Sequence, residues 1–97
     1  MAIIDTITDA NTIHVYSETI DAASVAAASV AEQALTVTGV KDGDRCLAIT
    51  PPTGIGVGIG FYRVTDNDEI TVQLVNPTAG AVDPASGTWE FVVATQD

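Results

Sequence analysis

Polar and apolar residues alternate with a period of two through most of this chain, and glycine, proline and aspartate cut the alternating runs at short intervals. Only an extended strand puts every second side chain on one face, so the pattern commits the chain to half-buried β-structure. In Ala31-Glu32-Gln33-Ala34-Leu35-Thr36-Val37-Thr38, one face carries Gln33, Leu35 and Val37, and the other carries Glu32, Thr36 and Thr38. Gly39-Val40-Lys41-Asp42-Gly43-Asp44 supplies turn chemistry, because glycine reaches unusual backbone angles and aspartate bonds nearby amides. A hairpin-like return is expected over Arg45 to Thr50. Pro51-Pro52-Thr53-Gly54 then ends that strand, since proline has no amide proton for a sheet ladder. Strand resumes over Ile55 to Val64, turns at Thr65 to Asp68, and returns over Glu69 to Val75 with Ile70, Val72 and Leu74 on one face. After the loop Asn76 to Gly87, the last strand runs from Thr88 to about Thr95 and directs Trp89, Phe91 and Val93 at the core.

The opening third is less decided. Thr12 to Glu18 alternates like a strand, whereas Ala22 to Ala34 is rich in good helix formers. The valines of Ala23-Ser24-Val25-Ala26 and Ala28-Ser29-Val30-Ala31 lie five apart, which fits neither a helical stripe nor strict alternation. A loop followed by a strand and a short helix are both open for that segment. Six short strands joined by Gly and Pro turns predict an all-β fold, a small jelly-roll-like β-sandwich with an N-terminal arm. Residues 1–20 form the arm or first strand in this reading, and residues 21–97 the sandwich domain.

A length of 97 residues suits one core and not two. With 46% hydrophobic and 16% charged residues the chain is too apolar for disorder, and no uncharged apolar run is long enough for a membrane helix. Lys41, Arg45 and Arg63 face thirteen acids, for a net charge of −10. Such a charge repels nucleic-acid phosphates and anionic lipid, so neither nucleic acid nor membrane is an expected partner. It also keeps a protein soluble when many copies are displayed together. The start Met1-Ala2-Ile3-Ile4-Asp5 has no basic residue ahead of an apolar stretch, so no secretory signal is expected. Cys46, the single cysteine, sits in an apolar strand where it reads as a small hydrophobe.

Chemistry has little to work with. His14 is the one histidine, in an alternating segment with no nucleophile assigned to it, and structural zinc needs about four Cys or His ligands. Asp42-Gly43-Asp44 and Asp66-Asn67-Asp68-Glu69 could offer oxygens to calcium, but neither extends into the twelve-residue loop that makes such a signal specific. Gly54-Ile55-Gly56-Val57-Gly58-Ile59-Gly60 fails the dinucleotide pattern, because the third required glycine falls on Ile59 or Phe61. No catalytic residue, metal or cofactor is expected, and the chain is read as a non-enzyme.

Two segments are candidates for contact. A strand with Gly56, Gly58 and Gly60 on one face, followed by Tyr62, would let a symmetry mate approach closely near an oligomer axis. Equally, those glycines could serve a bend inside the sheet. The apolar opening segment, with Ile3, Ile4, Ile7 and Ile13, could dock on a partner and gain strand hydrogen bonds there.

The stretch from Ala26 to Val93 resembles a family of small proteins encoded among the head genes of tailed phages, including cyanophages. The likeness rests on Ser29-Val30-Ala31-Glu32-Gln33-Ala34-Leu35-Thr36-Val37-Thr38-Gly39-Val40, Lys41-Asp42-Gly43-Asp44, the Pro-Pro break, the glycine-rich strand and Asn76-Pro77-Thr78-Ala79. It implies a capsid decoration, or cement, protein with a jelly-roll-like fold. As implied, such a protein is made in the host cytoplasm and sits as a homotrimer on the outer surface of the virion, bound to the major capsid protein. The segment through Asp21 is longer than in that family, and Cys46 departs from its pattern. A receptor- or carbohydrate-binding module of a phage tail fibre or spike is the alternative, with Tyr16 and Tyr62 as its candidate sugar contacts.

Overall fold

The computed structural model describes residues 11–96. They form six strands and no helix: β1 (Asn11–Ile20), β2 (Ser29–Thr36), β3 (Arg45–Thr50), β4 (Gly58–Asp66), β5 (Glu69–Asn76) and β6 (Gly87–Gln96). Two antiparallel three-stranded sheets result, with orders β1-β6-β3 and β2-β5-β4. Pairing β1 with β6 and β2 with β5 makes the chain one long folded ribbon, and rolling it brings β3 beside β6 and β4 beside β5. This is jelly-roll winding carried out with six strands instead of eight.

The core lies between the sheets. From β6 it takes Trp89, Phe91 and Val93, all fully buried, and from β5 Ile70, Val72 and Leu74. Leu35, Val37 and Val40 close it on one side, as the alternation of β2 requires, with Glu32, Thr36 and Thr38 left exposed. Trp89 and Phe91 stack with ring planes 11° apart.

Several local expectations change. Arg45 to Thr50 is a strand, but it pairs with β6 and not with β2. The turn from Gly39 to Asp44 therefore carries the chain across the sandwich, and no hairpin forms there. The strand expected from Ile55 begins only at Gly58, because Gly54 and Gly56 both adopt φ of +80°, which an extended strand cannot contain. Ile55 is nevertheless buried, reaching the core from the turn. Ala22 to Ala34 is loop and then strand: local helix propensity is a weak prior, and pairing with β5 outweighs it.

That loop is held by polar contacts and not by helix. Gln33, on the inner face of β2, exchanges two bonds with the Ala23 backbone: its Oε1 accepts from the amide at 2.9 Å and its Nε2 donates to the carbonyl at 2.8 Å. Val25 and Val82 form an antiparallel bridge, and Ala28 donates to the Thr78 carbonyl at 2.8 Å. Asn76 is the one buried polar residue among those described, and it donates to the Val25 and Ala26 carbonyls of this loop.

Candidate functional site

With the core complete between the sheets, the outer sheet faces are what the fold presents to a partner. On the β1-β6-β3 sheet the register aligns Ile13 with Ala94 and Arg45, then Val15 with Val92 and Ala48, then Ser17 with Glu90 and Thr50. Ile13 is 51% exposed and Val15 is 63% exposed. Leu47 is 49% exposed at an irregularity in β3, between Cys46 and Ala48. The first two of these rows are apolar, with Arg45 as their only charge, and polar residues occupy the third.

Alternation in Thr12 to Glu18 permits either face of β1 to turn inward. Tyr16 and Ile20 turn in, because they lie opposite Phe91 and Gly87 of the central strand, and this drives β-branched Ile13 and Val15 outward. The signal that could have found them is that β1 carries apolar residues on both faces, so one set must be exposed.

The outer face of β2-β5-β4 places Val30, 59% exposed, against Val75 and Gly58. An open groove there is lined by Ala28, Ser29, Val30, Val75, Asn76 and Pro77. Further along, β4 gains an extra residue between Ile59 and Tyr62, so Gly60 and Phe61 together face Gln73. Phe61 is the one exposed residue among the five Phe, Trp and Tyr, and the Arg63 guanidinium lies 5.7 Å from its ring centroid.

Gly56, Gly58, Gly60 and Tyr62 do not make one bare surface. Gly56 lies in the turn before β4, and a Cβ on it would meet Val82 at 3.0 Å. Gly58 and Gly60 do share the outer face of β4, but the Gln73 side chain occupies the space over Gly60. The bulge turns Tyr62 inward, where its hydroxyl donates to the Leu47 carbonyl at 3.3 Å and ties the two sheets together. Of the residues assigned to a docking arm, Ile3, Ile4 and Ile7 lie outside the described residues, and Ile13 stands on the exposed face of β1.

Tyr16 packs against the core, and its hydroxyl donates to the Gly39 carbonyl at 3.4 Å. His14 is exposed two residues before it, with ring centroids 6.0 Å apart. Both tyrosines considered as sugar platforms are thus half-buried and engaged with backbone.

The acidic turns come together at one end of the sandwich, where their oxygens bind amides. Asp44 Oδ2 accepts from Lys41 N at 3.0 Å, and Asp68 Oδ1 accepts from Gly39 N at 2.8 Å. Asn67 Oδ1 accepts from Asp42 N at 3.0 Å, and Asp66 Oδ1 accepts from Asn67 N at 2.7 Å. Asp68 and Asn67 therefore splint the opposite turn, while Asp44 and Asp66 each bond an amide of their own turn. Among the described residues no group of three or more His, Cys, Asp or Glu side chains could hold a metal.

Cys46 is half-buried against the core, and this burial pushes its thiol up to about 11 from an ordinary 9.0, with a weaker opposing effect from the Ala48 backbone. No family model matches the chain, and no match is found among curated proteins or solved structures.

Proposed function

We propose that this chain is a non-enzymatic surface-binding β-domain, and specifically a capsid decoration protein that binds the outside of a tailed-phage head as a homotrimer. The observation that carries the self-association part is the exposed apolar outer face of the β1-β6-β3 sheet, centred on Ile13 and Val15, on a domain whose core is already full. The phage assignment rests on the resemblance of residues 26–93 to proteins encoded among head genes. A net charge of −10 suits a protein crowded on a shell, since it keeps free copies soluble.

The mechanism is additive. Each trimer would bind where neighbouring subunits of the major capsid protein meet, and several modest contacts made at once give an avidity that one lacks. A ligand that binds the assembled shell and not free subunits stabilises the shell by mass action.

The first test is the solution mass of the purified protein by light scattering over a range of concentrations, followed by co-sedimentation with tailed-phage heads that have been stripped of their own decoration proteins. A stable mass of three chains and saturable sedimentation with heads are expected. A concentration-independent monomer that stays in the supernatant would overturn the reading. Retention on glycan arrays, lost in Tyr62→Ala, would move the chain to the carbohydrate-binding class.

A further inference from the structure

We infer that the apolar half of the outer β1-β6-β3 face is a self-docking surface, and that its occupant is a second copy of this chain. Its content is known row by row: Ile13, Ala94 and Arg45, then Val15, Val92 and Ala48. Ala94, in the same row as Ile13 and Arg45, is buried, while Ile13 and Val15 stand exposed beside it. Side chains at these two positions remain more than half exposed, which is costly for β-branched residues unless another surface covers them.

Charge selects the occupant. The chain has thirteen acids and three bases, so two copies brought together at random put carboxylate against carboxylate. This half-face holds no carboxylate among the described residues, and Glu90, the only one on the whole face, lies in the next row toward Ser17 and Thr50. It holds instead one of the three basic residues, exposed Arg45. A second acidic copy can therefore approach here with less repulsion than at a face that carries carboxylates, and it brings carboxylates for the guanidinium to pair with. The adjoining edge also permits contact. β1 pairs with β6 through ten residues without a break in register and contains no proline, lysine or arginine, as does β2 over eight residues in the other sheet, whereas the edge strands β3 and β4 are both interrupted by bulges.

This inference rests on the self-association in the reading above and gives it a location. It is tested with the full chain by light scattering and sedimentation equilibrium on the wild type, Val15→Asp, Arg45→Glu and Val30→Asp, with Trp89 fluorescence checking the fold of each. Val15→Asp buries an unpaired charge in the contact and is expected to raise the dissociation constant on the order of a hundredfold. Arg45→Glu is expected to weaken it on the order of tenfold, and more at low salt than at high. Val30→Asp, equally exposed on the opposite sheet, is expected to leave the mass unchanged. An oligomer that survives both Val15→Asp and Arg45→Glu would overturn this face while leaving the trimer standing. A wild type that stays monomeric at every concentration would overturn self-association itself.

Discussion

Asn76 Nδ2 donates to the carbonyl of Val25 at 3.1 Å, joining residues 51 positions apart beneath the surface of the sandwich. The same amide nitrogen reaches Ala26 O at 3.1 Å and Gly80 O at 2.9 Å, while Oδ1 accepts from Thr78 N at 3.0 Å and Thr78 Oγ1 at 2.7 Å. One side chain thus pins the β1–β2 loop to the β5–β6 loop. A buried amide with both its ends satisfied stabilises modestly; without it Val25 O keeps the Val82 amide and Gly80 O keeps Thr78 Oγ1, but the cross-loop bonds made by the side chain are lost.

Asn76→Leu keeps most of the volume and removes every one of these bonds. It is expected to lower stability by about 3 kcal/mol in urea unfolding, because five hydrogen bonds are lost and each contributes about 0.5–1.5 kcal/mol net. The β1–β2 loop should exchange its amide hydrogens faster as well. A change below about 1 kcal/mol would show that the network is not what holds the loop.

Two glycines should respond oppositely to the same substitution. At Gly60 an added Cβ would meet Gln73 Oε1, the free end of a flexible side chain that can swing into solvent. At Gly87 it would meet Pro52 Cγ at 2.7 Å and Pro52 Cβ at 2.9 Å, atoms of a rigid ring. Gly60→Ala is expected to change stability by less than about 0.5 kcal/mol, and Gly87→Ala to lower it by about 1–3 kcal/mol. Thermal melts of the two variants side by side decide this.

Burial makes the Cys46 thiol a poor nucleophile, since the thiolate is the reactive form. Modification by a thiol-specific reagent at pH 8 should be slow in the native protein and fast in denaturant. Between pH 9.0 and about 11 the unfolded chain loses this proton while the native chain keeps it, so stability should fall as pH rises through that window. Cys46→Val should abolish this component of the alkaline decline, and an unchanged profile would assign it elsewhere.

Asp68 holds a φ of +61°, accepts from Gly39 N through its side chain, and donates its own amide to Val40 O at 2.7 Å. Asp68→Asn keeps both the acceptor and the tolerance of that angle, so it should be near neutral. Asp68→Leu loses both and should cost about 1–2 kcal/mol. Excess calcium should leave the melting temperature of the wild type unchanged, because these turn oxygens are committed to backbone amides. A calcium-dependent rise would show that they exchange amides for the ion.

What the sequence determined by itself is where most of the strands run and which residues share each face, with the first half of β2 and the start of β4 excepted. Alternation in β2, β5 and β6 is a property of the extended backbone, so Leu35, Ile70, Val72, Leu74, Trp89, Phe91 and Val93 were legible as one core, and the Pro51-Pro52 break was legible as a strand end. Alternation does not say which strand lies alongside, and it does not say which of two apolar faces turns inward. Tertiary structure decided that β3 crosses to β6, that Tyr16 points inward and leaves Val15 exposed, and that Gln73 fills the space over Gly60. It also decided the loop 21–28, where Gln33, Asn76 and Val82 supply partners from distant positions that no local propensity encodes. The division has one cause: strand periodicity is read within a few residues, whereas register, burial of one face and satisfaction of loop polar groups are settled by atoms far apart in the chain.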